Sequence, residues 1–226
     1  MTNPTDGALV KTIAVLGGTG KEGSALAVRW ALSGYRVVIG SRDAAKAEAT
    51  VKELNETLDG EYLYGMSNVD AAQQASIVVL SVPYSAQRAT LEGVKDQLAG
   101  KILVDLTVPL QPPAVRMVNV PEGTAAALEA QALLGEDVTV VSAFQNVSAV
   151  KLKDPNNPVD CDVLVCGDDD AAKEEVIQLV QAAKLRAIDA GPLVNAVAAE
   201  SLTPVLLYIN KKYSVKGAGI RITGVE

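Results

Sequence analysis

No histidine occurs among the 226 residues. That removes most zinc sites, every Ser–His or Cys–His nucleophile pair, and the side chain used most often as general acid–base. Aromatic residues make up only 4%, with one Phe and one Trp. A core must therefore be built from Val, Leu, Ile and Ala, for which a 49% hydrophobic composition is ample. The only two cysteines, Cys161 and Cys166, would point to opposite faces of a strand. They suit neither a disulfide framework nor a metal site, and are expected to be buried thiols in a reducing cytoplasm. Basic residues are outnumbered, 20 to 27, for a net charge of −7 and an isoelectric point of about 4.8, which argues against a nucleic-acid partner. No uninterrupted apolar run reaches the ~18 residues of a membrane span. Residues 1–7 lack a basic region and an apolar core, so they are expected to be a frayed tail and not a signal peptide.

What is present is organised around residues 11–24. Residues 13–16 are an apolar run that predicts a buried strand. It stops at Gly17, and Gly18-Thr19-Gly20-Lys21-Glu22-Gly23 supplies G-x-G-x-x-G, followed by a helix over residues 24–32. In that strand–glycine–helix order the motif predicts a dinucleotide site. Gly18 serves the tight turn, Gly20 lets a pyrophosphate approach the backbone, and Gly23 lets the helix pack close to the strand. The helix N-terminus then offers free N–H groups and its positive dipole end. A second strand over residues 35–39 is followed by Gly40, Ser41 and Arg42, with Lys46 one helical turn on. An Asp or Glu there would bind the ribose hydroxyl of NAD. A hydroxyl and two cations suit a 2′-phosphate, so the spacing favours NADP(H). Asp43 lies past the strand end and reads as a helix N-cap.

Strands are expected over residues 62–66, 76–82, 101–105 and 137–142. Helices are expected over 43–58, 68–75 with Asn68 as cap, 91–98, and 125–134 with Thr124 as cap. Six strands alternating with helices predict an α/β fold, a Rossmann-type doubly wound parallel sheet. Val82 and Pro83 end the fourth strand, where the turn passes over the cofactor, so both are candidate pocket wall. Tyr84 fits that wall and an ordinary helix start equally. Residues 106–121 carry four prolines, and a loop of that length is expected to be functional. Polar residues directly follow the sixth strand over residues 142–148, and Phe144, Gln145, Asn146 and Val147 are expected at the entry to a second ligand's pocket rather than in a plain crossover. Strands over 161–166 and 185–189 flank a helix over 171–183. Asp168, Asp169 and Asp170 at its start suit the helix dipole better than a metal. The last helix carries apolar residues at three- and four-residue steps from Val194 to Ile209. Pro204 should kink it, and its apolar face needs a surface to bury against. The division expected is residues 1–142 as an NADP-binding Rossmann domain and 143–226 as a small C-terminal α/β domain.

Tyr208 and Lys212 fit Y-x-x-x-K of the short-chain dehydrogenases, but they stand too near the C-terminus for that role. Without them, and without histidine, nothing evident protonates a ketone or alcohol oxygen. Hydride transfer between two ring cofactors needs no such acid, because the acceptor ring carries its own nitrogen. The protein need only hold the rings face to face and exclude water.

The chain resembles the NADP-dependent reductases of the deazaflavin coenzyme F420. The resemblance is carried by Gly17-Gly-Thr-Gly-Lys-Glu-Gly23, Gly40-Ser-Arg42 with Lys46, Val140-Val-Ser-Ala-Phe-Gln-Asn-Val-Ser-Ala149, Cys166-Gly-Asp-Asp-Asp170, Asp189-Ala-Gly-Pro-Leu193 with Asn195, and Glu200-Ser-Leu-Thr-Pro204. It implies a cytoplasmic homodimer that moves hydride between NADP(H) and F420 by positioning alone, with no catalytic side chain and no metal. The deazaflavin is expected in a cleft between the two domains. By position, Thr19, Ser41, Arg42 and Lys46 look like 2′-phosphate binders. Gly18, Gly20 and Gly23, with Lys21 and Glu22 between them, look like the pyrophosphate turn. Residues 144–147 and the loop Gly191, Pro192, Leu193 look like walls around the rings. Some relatives place a histidine where Gln145 stands; an amide can hydrogen-bond a pyrimidine edge but cannot titrate. Residues 142–149 also resemble the NADPH domain of membrane metalloreductases that reduce flavin. An NADPH-dependent flavin or ferric reductase, or a non-catalytic NADP(H)-binding redox sensor, are therefore the alternative readings.

Overall fold

The computed structural model describes residues 11–225; residues 1–10, where the frayed tail was expected, and Glu226 lie outside the described residues. The elements run β1 (Thr12–Leu16), α1 (Lys21–Leu32), β2 (Arg36–Ser41), α2 (Ala44–Leu58), β3 (Leu63–Ser67), α3 (Asn68–Gln74), β4 (Ile77–Leu80), α4 (Tyr84–Val94), β5 (Ile102–Asp105), α5 (Ala126–Leu134), β6 (Thr139–Ser142), α6 (Ala149–Leu152), β7 (Asp162–Gly167), α7 (Asp170–Ala182), β8 (Arg186–Asp189) and α8 (Ala196–Tyr213).

The strands form one sheet in the order β3-β2-β1-β4-β5-β6-β7-β8. β1 to β6 are parallel, and the central β1 and β4 are apolar almost throughout, as strands covered on both faces are. The chain winds outward from β1 in one direction and from β4 in the other, so the topological switch point lies between β1 and β4. The C-terminal residues extend the same sheet: β7 pairs antiparallel with β6 and β8 parallel with β7.

Side-chain alternation splits the core into two layers. Ile13 and Val15 of β1 face a cluster that includes Leu26 and Trp30 of α1, Val51 of α2, and Val176 and Leu179 of α7. Ala14 and Leu16 face the other cluster, with Ala71 of α3, Leu91 of α4, Ala130 of α5 and Ala196 of α8. Both cysteines are buried free thiols in these layers.

α1 is fastened to the C-terminal segment by polar contacts through its last turn. The buried Arg29 guanidinium donates to the carbonyls of Leu152 (2.9 Å), Ala183 (2.8 Å), Asp154 (2.5 Å) and Asn157 (3.2 Å). Trp30 Nε1 donates to Leu179 O at 2.8 Å, and Ser33 Oγ to Ala182 O at 2.6 Å.

Three expected caps are resolved. Asp43 caps α2, accepting from Ala45 N and Lys46 N. α3 is capped by Ser67 and not by Asn68, which is its first helical residue. Thr124 does not cap α5. Its backbone is at φ +73°, and the free N–H groups of Ala126 and Ala127 are taken by the Glu200 carboxylate of α8 at 2.8 and 3.1 Å. Pro204 sits within a continuous α8 and starts no second segment. By length and composition Leu193–Tyr213 could cross a membrane, and 33% of it is buried. Its polar Glu200 lies on the buried face, tied to α5. The three acidic residues at the start of α7 are each engaged: Asp168 accepts from Leu193 N, Asp169 caps the helix through Ala172 N, and Asp170, its first residue, pairs with Lys173.

Candidate functional site

The glycine turn sits at the switch point. Gly17 holds φ +71°, and a Cβ there would lie 2.4 Å from Val82 Cγ1. At Gly18 a Cβ would press on Val15 O at 2.7 Å, and at Gly23 on Gly18 Cα at 2.9 Å, so α1 and β1 meet at backbone distance. Gly20 is different. The nearest atom to a Cβ there is Gly17 O at 3.5 Å, and the residue is exposed. α1 starts at Lys21, three residues earlier than expected, with Gly20 as an N-cap that supplies no side-chain bond. Its first-turn N–H groups are left free to take an anion. The turn is braced by a residue assigned a different role from sequence: Asn68 Oδ1 accepts from Gly17 N at 3.4 Å.

At the end of β2, Ser41 is buried and its hydroxyl accepts from Asp43 N at 3.2 Å. Arg42 and Lys46 are exposed. Neither takes part in any of the ion pairs formed among the described residues. Asp43 is committed to α2 as its cap, and the two cations are unspent among the described residues.

Next to the turn opens a cavity of about 480 Å³. One wall is Gly20, Lys21 and Glu22; a second is Ser81, Val82, Pro83 and Tyr84 after β4. The proline-rich loop adds Leu106, Val108 and Leu110, and α8 adds Thr203, Leu206, Leu207 and Asn210. The floor includes Gln145, Asn146 and Val147. Of the residues expected from sequence, Gly20, Lys21, Glu22, Val82, Pro83, Gln145, Asn146 and Val147 therefore meet in one cavity. Gly18, Thr19 and Gly23 form the adjoining turn, and Ser41, Arg42 and Lys46 stand at the neighbouring strand end.

Two sets of expected wall residues lie outside this cavity. Phe144 is not a wall of the cavity: its side chain is fully buried, edge-on to Trp30 with ring centroids 5.9 Å apart. Its backbone, at φ +75°, turns the chain out of the line of β6 and brings Gln145 and Asn146 round. Gly191, Pro192 and Leu193 do not line the cavity either. They build the start of the segment leading to α8, where Leu193 is buried and its N–H is held by Asp168.

The amides of Gln145 and Asn146 are oriented by the main chain. Gln145 Nε2 donates to Asp105 O at 2.7 Å, and Asn146 Nδ2 to Asp162 O at 2.6 Å. Their carbonyl oxygens, Oε1 and Oδ1, are buried without a partner. With those oxygens sealed from the cavity, the two amides brace its floor from behind. Thr203 of α8 donates to Gln145 O at 2.6 Å, so the helix that closes the cavity also holds this floor in place.

A polar network that sequence reasoning missed lies behind the wall. Buried Asp105 accepts from Thr107 N (2.8 Å) and Gln87 Nε2 (2.7 Å), and burial pushes its carboxyl up in spite of those bonds. Glu200 is pushed up to about 8, again by burial, against the two backbone donors of α5. Tyr84 gives its hydroxyl to Glu129 at 2.7 Å; burial first and then that carboxylate push it up to about 12. Tyr84 is thus both a cavity wall and a helix-start residue.

The profile of the family described as "NADP oxidoreductase coenzyme F420-dependent" matches residues 12–109. The F420-dependent NADP reductase of Methanocaldococcus jannaschii is 43% identical over 223 residues, 95% of this chain and 99% of that protein. A solved structure described as a putative F420-dependent NADP reductase from an Arthrobacter species superposes with a TM-score of 0.79 at 29% identity, covering 93% of this chain and 98% of that one. Metalloreductase STEAP3 of Rattus norvegicus is 30% identical over 192 residues, 84% of this chain but 36% of that protein.

Proposed function

The chain belongs to the family of F420-dependent NADP reductases, and from that membership we propose how its residues divide the work of an F420:NADP oxidoreductase. The near-full-length 43% identity carries the reading. The residues present fit two such cofactors: free N–H groups at α1 for a pyrophosphate, two unspent cations beyond β2 for a 2′-phosphate, and an apolar wall of Val82, Pro83, Leu106 and Val147 for the rings.

Gly18, Gly20 and Gly23, with the N–H groups of Lys21 and Glu22, hold the pyrophosphate. Thr19, Ser41, Arg42 and Lys46 hold the 2′-phosphate, as charge-assisted donors do. Val82, Pro83 and Val147 flank the rings, and the Gln145 and Asn146 amides, tied to Asp105 O and Asp162 O, keep that part of the wall in place. When bound, F420 supplies the hydride acceptor. The chain contributes alignment and exclusion of water, not a proton-relaying imidazole. Residues 1–142 carry NADP(H), and residues 143–226, through Gln145, Asn146, Thr203 and Leu206, complete the deazaflavin cleft. We place the enzyme in the cytoplasm as a homodimer. The exposed face of α8, with Val205 and Tyr208, supports the pairing.

The test is direct. Purified protein with NADPH and F420 should bleach the nicotinamide absorbance, with no carbonyl compound able to replace F420. The likeness to STEAP3 favours one second reading, a flavin or ferric reductase. Turnover with FMN or FAD, and none with F420, would select it.

A further inference from the structure

The cavity contains a carboxyl that alignment of two rings leaves without a task. Glu22 lies in the first turn of α1 and lines the cavity beside Gly20, Val82 and Pro83. Among the described residues it has no ion-pair partner. The titratable groups sharing the cavity are Lys21, exposed on the same helix, and Tyr84 of α4, committed to Glu129; the β5 loop, residues 145–150 and α8 bring none. Glu22 keeps some exposure at the cavity mouth, yet protein surrounds the carboxyl. Desolvation pushes it up to about 8, against the dipole of α1, which acts the other way.

A pyrophosphate on the free N–H groups of α1 directs the nicotinamide end of the dinucleotide into this cavity, beside Glu22. There the two oxidation states differ by one charge: the reduced ring is neutral and the oxidised ring is a cation. We propose that Glu22 is a charge-matching residue, neutral beside the reduced nicotinamide and ionised beside the pyridinium that hydride loss leaves. The inference rests on the reading that this cavity takes the nicotinamide of NADP(H). The balance closes. Two electrons and one hydrogen leave nicotinamide C4 for deazaflavin C5, and the reduced acceptor takes one proton on its ring nitrogen. The Glu22 O–H bond breaks as the pyridine ring becomes cationic. One proton is thereby released for the one the acceptor consumes, and the charge facing the ring is cancelled. An adjacent cation favours the ionised carboxylate by the same physics that lowers any ion-paired acid.

Isothermal titration calorimetry in buffers of different ionisation enthalpy counts the protons released on binding NADP+ and NADPH separately. The 2′-phosphate and pyrophosphate are common to both, so they cancel in the difference. Near neutral pH the wild-type protein should release close to one more proton with NADP+ than with NADPH. The ratio of the NADPH to the NADP+ dissociation constant should rise up to about tenfold per pH unit until pH is about 8, then level off. Glu22→Gln should abolish both differences. Equal proton counts for the two forms in the wild type, which needs no variant to fold, overturn the inference, as does a difference that survives in Glu22→Gln. If proton counts are equal while NADPH still reduces F420, Glu22 alone is misassigned. If neither nucleotide binds, the site reading falls with it.

Discussion

Glu200 caps a helix that begins 74 residues before it, accepting the N–H of Ala126 at 2.8 Å. Burial raises its carboxyl from 4.5 to about 8. A group raised on folding adds stability that is complete below its unfolded pKa and lost as pH rises through its folded one. Urea-unfolding midpoints should therefore fall as pH is raised from about 5 to above 8. Glu200→Gln should flatten part of that slope, leaving the share of Asp105 and Glu22. Glu200→Ala should cost about 1–3 kcal/mol, since it orphans two buried donors.

Arg42, just past β2, and Lys46, in the first turn of α2, have no ion-pair partner among the described residues. Arg42→Ala should weaken NADPH about 10- to 100-fold, the worth of a charge-assisted hydrogen bond. NADH, which lacks the 2′-phosphate, should be little affected. Equal losses in fluorescence titrations of the two would remove the 2′-phosphate assignment.

Gly23→Ala would set a Cβ 2.9 Å from Gly18 Cα and 3.0 Å from Ser81 Oγ. Neither neighbour is the far end of a flexible side chain, so α1 must shift. Stability should fall by about 1–3 kcal/mol. NADPH affinity should fall too, because the N–H groups at the head of α1 lose their aim. A tight NADPH complex in this variant would show that the turn tolerates displacement.

Arg29 is buried with its guanidinium bonded to four carbonyls and to no carboxylate. Arg29→Met keeps much of the volume and leaves those carbonyls unpaired. About 3–5 kcal/mol of unfolding free energy should be lost. Arg29→Lys should not restore it, since an ammonium cannot present the planar fork that reaches both residues 152–157 and Ala183. Chemical unfolding of both variants measures this.

The parallel sheet was legible because its strands are apolar on both faces, a pattern local enough to see in β1, β4 and β5. The direction of β7 was not, since pairing direction is set by the connection and not by the strand's own residues. Phe144 shows the same limit: polar neighbours suggested a pocket, while its ring belongs to a core position opposite Trp30. Thr124 is a good cap by local rules, yet a tertiary partner, Glu200, took the role. Cavity residues on α8 were hidden among apolar steps that serve packing and ligand alike; only Thr203 and Asn210, polar on that face, offered a signal.

α1 is gripped at both ends. Its first turn offers the N–H groups assigned to the nucleotide, and Arg29, Trp30 and Ser33 at or just beyond its last turn hold the C-terminal segment. Twelve residues make a rod of about 18 Å, too short and too well packed to bend. One rigid helix therefore fixes the distance between the C-terminal segment it holds and the cavity wall that Lys21 and Glu22 supply.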